Sequence, residues 1–104
     1  MKTTIIIVTA HGNMLIKADC RDGLAVHKEA YRRPSNEKAF TVTHIKTGLK
    51  CSPVFKTQQE ALRLRNELVK VFDWETLDTK NAFDMQKALN HVSFQVKNLK
   101  EGII

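Results

Sequence analysis

The sequence has few of the residues that build several common kinds of functional site. It holds four glycines and two prolines in 104 residues, and no glycine-rich phosphate loop. Two cysteines, Cys20 and Cys51, are too few for a disulfide framework, and we expect free thiols in a reducing compartment. The longest apolar run, Ile5–Val8, is far shorter than the roughly 18–20 residues that cross a bilayer. With no signal-peptide pattern at the N-terminus, we expect a cytoplasmic protein without a membrane partner.

Metal-binding and catalytic patterns are missing as well. Cys20 and His27 are separated by six residues, and so are His44 and Cys51. Structural zinc sites usually place two to about four residues between neighbouring ligands. Neither G-x-S-x-G nor H-E-x-x-H occurs, and no carboxylate stands out as a partner for a histidine. The sequence therefore predicts no metal, no cofactor and no enzymatic activity.

The positive charge is unevenly distributed along the chain. The net charge is +6, and residues 1–56 carry ten Lys and Arg against four Asp and Glu, whereas residues 57–104 carry seven of each sign. All of the excess therefore belongs to residues 1–56. An imbalance of this kind suggests an acidic partner, such as nucleic acid, an anionic protein surface or a lipid headgroup layer. The alternative is that the charge serves solubility alone.

Residue patterns predict one α+β domain over residues 1–104, with a β-rich half at 1–56 and a helical half at 57–104. The continuous apolar run of the first strand favours a central position in the sheet, and the alternation of the third favours a half-exposed strand. Pro53 places the fifth strand at an edge or at a bulge. The five predicted strands are Thr3–Thr9, Met14–Ala18, Leu24–Tyr31, Phe40–Ile45 and Leu49–Phe55.

Two amphipathic helices follow the strands. Thr57 and Glu60 form a capping box for a helix that runs to about Asp73. A second helix begins near Asp78 or Thr79, either of which can cap it. Its apolar stripe consists of Ala82, Met85, Leu89, Val92, Val96 and Leu99. We therefore predict an antiparallel sheet of about five short strands with both helices on one face, in the order βββββαα.

Basic side chains cluster on two connections of the β-half. Three lie on the polar segment between the third and fourth strands, behind an aromatic residue, and two flank the next turn. Basic loops beside an aromatic suit phosphate contacts combined with base stacking. We predict a non-enzymatic protein that binds nucleic acid, or an acidic protein or ribonucleoprotein surface. The predicted binding residues are Lys28, Tyr31, Arg32, Arg33, Lys38, Lys46 and Lys50.

The second class of function is a protein inhibitor or adaptor that uses the helical half. Phe83 and Phe94 fall outside the apolar stripe of the last helix, and the sequence ends in Ile103-Ile104. Such side chains are candidate exposed anchors for a partner, as is Trp74 between the helices. The stripe itself is typical of a core helix, but it also allows a homodimer through the last helix.

One stretch of the sequence resembles known small proteins. Residues Phe40–Gly48, then Phe55-Lys56-Thr57 and Glu60-Ala61, resemble the hairpin-into-helix pattern of small phage and prophage proteins. The stretch is also similar to the arm-type DNA-binding domain of phage integrases, although it lacks their Arg/Gly-dense hairpin. The resemblance implies an accessory protein of a mobile element, which acts on nucleic acid or blocks a host protein such as a defence complex.

Overall fold

The computed structural model describes residues 2–29 and 39–104, and its elements confirm the α+β fold in the order βββββαα. All strand pairs are antiparallel, and sequence neighbours are sheet neighbours throughout, in the order β1-β2-β3-β4-β5. The strands are β1 (Lys2–Thr9), β2 (Gly12–Arg21), β3 (Leu24–Lys28), β4 (Phe40–His44) and β5 (Leu49–Lys50), and the helices are α1 (Gln58–Val71) and α2 (Ala82–Lys100).

The sheet curls until its first strand reaches the turn between β4 and β5. At that point the Val8 amide donates to the Gly48 carbonyl over 2.8 Å. Gly48 has a φ of +72°, and a Cβ at this position would lie 2.9 Å from the carbonyl oxygen of Ile6. Glycine therefore meets two requirements here, because it tolerates the positive φ and allows the two backbones to approach.

Both helices pack on one face of the curled sheet, as predicted. Leu24, Val26 and Val42 from β3 and β4 face Leu64 and Leu68 of α1 and the buried side of α2. The Trp74 indole completes this core between the helices, and its N–H donates to the Leu68 carbonyl over 2.9 Å. Burial of these apolar side chains is the main stabilising term for the helical half.

The concave face of the sheet holds a second, smaller core. Ile5, Ile7, Ala18 and Ala25 are buried there against each other. Partly buried neighbours from β2 and the end of β4 extend the cluster, namely Ile16, Cys20 and Ile45. Strands β3 and β4 are therefore covered on both faces, by helices on one side and by the curl of the sheet on the other.

This curl contradicts two predictions about the strands. β1 was predicted to be central and covered on both faces, but it pairs along its length only with β2, and Ile6 and Val8 are exposed. β3 was predicted to be half-exposed, yet Leu24–His27 are all buried. The physical reason is the same in both cases. Curling shelters the concave face of every strand, whereas the helices cover only the middle of the opposite face.

The fifth strand shows the edge geometry that Pro53 predicted. Only Leu49 and Lys50 pair with β4, and the chain then leaves the ladder. The Ser52 hydroxyl accepts the Val42 amide over 2.9 Å in place of a strand carbonyl, and a single bridge between Phe40 and Phe55 rejoins the sheet. Pro53 is exposed in this interruption. Because no ladder hydrogen bond is formed there, its lack of an N–H costs the sheet nothing.

The helix caps confirm one prediction and correct another. Thr57 caps α1 as predicted, since its hydroxyl oxygen accepts the Glu60 amide over 3.2 Å. The second helix does not begin at Asp78 or Thr79, because the Asn81 side chain caps it by accepting the amides of Phe83 and Asp84. Two members of the predicted α2 stripe, Ala82 and Leu89, are exposed, and the buried positions are Ala88, Val92, Gln95 and Val96.

Candidate functional site

The acidic residues of the β-half are held in ion pairs wherever the structure describes them. Asp22 pairs with Arg21 at 3.8 Å, and Glu29 pairs with Lys50 at 3.3 Å. Asp19 pairs with Arg65 of α1 at 2.7 Å. The remaining acid of this half, Glu37, lies outside the described residues. The carboxylates at 19, 22 and 29 are thus already engaged by cations before any partner approaches.

The Asp19–Arg65 pair connects the two halves of the chain. Arg65 is buried, and its Nη1 donates to both the backbone oxygen and the Oδ1 of Asp19, each over 2.7 Å. Its remaining nitrogens donate to Asn66 Oδ1. The hydrogen bond from Arg65 is the main reason that the pKa of Asp19 lies below its ordinary value. A cation of the helical half therefore neutralises an acid of the β-half.

Five exposed lysines of the β-half have no ion pair within the described part of the chain. They come from β1, β2, the end of β3, the β4–β5 turn and the segment before α1, and they are Lys2, Lys17, Lys28, Lys46 and Lys56. Since nearby acids are engaged elsewhere, the positive charge of this half remains available at the surface. Such a surface attracts anions over a distance of about one Debye length.

Lys17 and Lys28 lie on the same face of neighbouring strands. The β2–β3 ladder ends where Asp19 pairs with Val26, and both of these side chains face the helices. Side chains along a strand alternate between its two faces. Lys17 and Lys28 lie two residues from Asp19 and Val26, so their side chains are on that same face. Like charges in opposed positions of adjacent strands destabilise a sheet. Binding of an anion between them would remove this repulsion.

A third exposed lysine lies farther across the sheet, two strand positions beyond Lys28. Phe40 pairs with Lys28 on one side and with Phe55 on the other, and Lys56 follows Phe55 directly. We refer to Lys17, Lys28 and Lys56 together as the lysine row. The row adjoins the start of the segment that carries four other predicted binding residues, Tyr31, Arg32, Arg33 and Lys38. These four lie outside the described residues.

The two other predicted binding residues have different surroundings. Lys46 follows β4 at the opposite end from Lys28, and its Nζ lies 3.5 Å from the Leu77 carbonyl oxygen. Lys50 is engaged by Glu29 on the concave face. The structure thus places Lys17 on the strand beside Lys28, and Lys56 two strand positions away on the other side. Neither Lys17 nor Lys56 is among the residues predicted from the sequence. Counting outward from the Asp22-Gly23 turn places position 17 opposite position 28, and this count could have identified Lys17 as a neighbour of Lys28.

A cavity of about 250 Å³ opens on the concave face between β1, β3 and β4. His27, Thr41 and Thr43 are buried at its wall, and the Glu29–Lys50 pair lies beside it. His27 Nδ1 must donate to the Lys28 carbonyl, 2.7 Å away, because a carbonyl oxygen only accepts. In the neutral ring, Nε2 then accepts from the Thr43 hydroxyl, also over 2.7 Å. Both ring nitrogens are thus engaged in hydrogen bonds, and the bond to Thr43 joins β3 to β4.

The two Cys/His pairs whose spacing was compared with that of zinc ligands lie on opposite faces of the sheet. Cys20 and His27 are on the concave face, and His44 and Cys51 are on the helix-covered face. His27 faces the concave side, whereas His44 faces the helices and donates through Nε2 to the Trp74 carbonyl over 2.8 Å. Burial raises the pKa of the Cys51 thiol to about 12, and burial is also the main cause that raises the pKa of Cys20. Within residues 2–29 and 39–104, no three potential metal ligands lie together.

The helical half contains both buried and exposed aromatic side chains. Trp74 is only 2% exposed, so it is a core residue and not the exposed anchor that the sequence allowed. Phe83, Phe94 and Ile103 are 68%, 60% and 65% exposed, whereas Ile104 is partly buried. No helix in the described ranges is both long and apolar enough to cross a membrane.

Comparisons with known proteins add no relative. No family model, no curated protein and no solved structure matches the chain. The resemblance to small phage proteins and to integrase arm-type domains therefore stays a prediction from sequence.

Proposed function

We propose that this is a non-enzymatic binding protein whose β-half contacts the phosphates of a nucleic acid through the lysine row. The observation that carries the proposal is the combination of engaged acids and unengaged lysines. Asp19, Asp22 and Glu29 are all in ion pairs, while Lys17 and Lys28 are exposed on one face of adjacent strands. The proposal places the protein in the cytoplasm, where its thiols stay reduced.

Lysine contacts of this kind position a nucleic acid without reading its sequence. An ammonium group is a compact charge that binds phosphate oxygens, and sequence readout requires contacts to base edges. In this proposal Arg32, Arg33 and Lys38 add phosphate contacts to those of the lysine row, and Tyr31 offers a ring on which a base can stack. We therefore expect binding with little sequence preference and with a steep dependence on salt.

Fluorescence anisotropy tests this proposal with labelled duplex DNA, single-stranded DNA and RNA, each at several salt concentrations. Six phosphate contacts, three from the lysine row and three from Arg32, Arg33 and Lys38, should give a slope of log K against log salt of about −4 to −5. Polyglutamate of matched length serves as the control for attraction to any polyanion. Binding to nucleic acid that exceeds binding to polyglutamate supports the proposal. No binding at low salt, or equal binding to both polymers, contradicts it.

A second candidate function is an inhibitor or adaptor that binds a host protein through the helical half. The exposure of Phe83, Phe94 and Ile103 favours it, since aromatic and aliphatic anchors dominate protein interfaces. Removing residues 94–104 would also remove Gln95 and Val96, which are buried, so a point substitution is the cleaner test. A specific partner retained by the unaltered chain and lost by Phe94→Lys, without nucleic-acid affinity, would favour this function over the first.

A further inference from the structure

The outer face of β1 and β2 carries two neighbouring aliphatic side chains that the helices leave uncovered. Ile5 and Ile7 face the concave core, so alternation places Ile6 on the outer face, together with Leu15, its opposed residue in β2. Ile6 and Leu15 are 56% and 68% exposed. We refer to them as the aliphatic pair. Exposed apolar side chains that adjoin one another and have a polar rim are typical of interaction surfaces.

Two lysines of the proposed phosphate contacts adjoin the aliphatic pair. Lys17 follows Leu15 by two residues in β2, so the two side chains are about 7 Å apart on the same outer face. Lys17 is opposed to Thr4, which precedes Ile6 by two residues on the outer face of β1. Lys28 lies on this face of the next strand, β3. Exposed cations and exposed aliphatic groups therefore occupy neighbouring positions of one surface.

A partner that fits this surface has anionic groups directly beside accessible apolar groups. A duplex offers phosphates, but its base faces are stacked inside and only base edges reach the grooves. A single strand offers phosphates together with base faces that are free to pack on a protein. A stable protein interface buries roughly 800 Å² on each partner, which is far more than two aliphatic side chains supply. The aliphatic pair therefore suits one or two bases better than a protein partner.

We infer that the nucleic acid is single-stranded, and that one or two of its bases pack on Ile6 and Leu15 while its phosphates contact Lys17 and Lys28. This inference rests on the proposed function and names the substrate class of the same site. Packing of a base face on these side chains removes apolar surface from water, and this contribution does not depend on salt. The contact has no directional requirement, so it adds affinity for single strands without selecting a base.

Fluorescence anisotropy with an oligothymidylate of about 12 nucleotides and a duplex of the same length tests the inference. We expect the unaltered protein to bind the single strand more tightly. Ile6→Thr with Leu15→Thr removes most of the aliphatic surface, keeps the charge and retains a residue that favours strands. This variant should bind the single strand at least about fivefold more weakly, with an unchanged salt slope. Its affinity for the duplex should change by less than about twofold.

A matched control alters exposed aliphatic side chains elsewhere in the molecule. Val54 and Ile103 are 46% and 65% exposed and lie outside the strands and helices. Val54→Thr with Ile103→Thr should bind both nucleic acids like the unaltered protein. Circular dichroism checks that each variant folds. If the variant with both threonines in the aliphatic pair does not fold, Leu15→Thr alone decides the test, because position 15 is the more exposed of the two.

An abasic strand with the same number of phosphates tests the base contact directly. Because it has no bases, the Ile6→Thr, Leu15→Thr variant should bind it as well as the unaltered protein does. Equal affinities for single strand and duplex, or equal losses on the base-bearing and abasic strands, would overturn the inference and leave the proposed function intact. Single-strand binding that this variant does not weaken would also overturn it. No binding to any nucleic acid would overturn both, and tight binding of polyglutamate that the variant weakens would indicate an acidic protein partner instead.

Discussion

The β-half and the helical half each contain fourteen charged side chains, but they arrange them differently. In the helical half the two signs are equal in number, and its best-buried cation, Arg65, is used to neutralise Asp19 in the β-half. In the β-half the acids at 19, 22 and 29 are all engaged and several lysines are not. The difference indicates that the positive excess belongs to the β-half and is not spread over the whole molecule.

The two halves also differ in how they bury apolar side chains. The helices cover the middle of the sheet and bury Trp74 completely between them. The β-half covers its concave face by curling, which leaves Ile6 and Leu15 exposed on the other face. Stability should therefore depend most on the helix-covered core, and binding should depend most on the uncovered part of the β-half.

The largest effect is expected for Trp74→Ala. Loss of the buried indole removes its packing against Phe72, with ring centroids 5.0 Å apart, and its hydrogen bond to Leu68. We expect the free energy of unfolding to fall by about 3–5 kcal/mol, measured by urea denaturation. Phe94→Ala, at an exposed aromatic of the same half, is the matched control and should change stability by no more than about 0.5 kcal/mol. Equal losses at the two positions would contradict the assigned core.

A smaller effect is expected for Asp19→Asn, which breaks the ion pair between the halves. Arg65 remains buried without its counter-charge, so we expect a loss of about 2–3 kcal/mol near neutral pH. The pKa of Asp19 is lower in the folded state, so its stabilising contribution is present above the unfolded pKa near 3.9. That contribution is lost as the pH falls through the folded pKa.

The pH dependence separates this ion pair from a general loss of packing. The difference in unfolding free energy between the unaltered protein and Asp19→Asn should be full at pH 7 and should shrink as the pH falls below about 4. Denaturation at several pH values measures it. A difference that stays constant down to pH 2 would show that the charge of Asp19 does not matter for stability.

A further prediction concerns the segment between β3 and β4. Reversal of charge at Arg32 and Arg33 should weaken nucleic-acid binding about tenfold, or about 1.4 kcal/mol, and should make the salt slope shallower by about two contacts. Anisotropy titrations measure both quantities. Unchanged affinity would remove these two arginines from the interface.

Most of the fold could be predicted from local sequence signals. Turn residues such as Asp22-Gly23 and the Thr57 cap act through their own backbone neighbours, so their effects are visible in a short window. The errors concern long-range geometry. The apolar run Ile5–Val8 reads as a central strand, but one face of β1 is exposed because the sheet curls to meet Gly48, forty residues away in the chain.

The candidate site was less predictable, because a charge count does not show which charges are engaged. Lys50 and Lys28 look alike in sequence, yet Glu29 neutralises Lys50 and not Lys28. Asp19 is the acid next to Lys17 on the same strand face, and only the fold reveals that Asp19 forms its ion pair with Arg65 of α1. Strand alternation from the Asp19–Val26 pair explains why Lys17 and Lys28 share a face, and it can be inferred from sequence only after the intervening turn is fixed.

The most direct test of the account compares two charge-reversal variants of equal net charge. Lys17→Glu with Lys28→Glu alters the lysine row, and Lys80→Glu with Lys87→Glu alters exposed lysines of the helical half, so each lowers the net charge from +6 to +2. Anisotropy at one low salt concentration gives their affinities for the same nucleic acid. We predict a loss of at least about tenfold for the first variant and of no more than about twofold for the second. Equal losses would show that only net charge matters and would contradict a binding surface on the β-half.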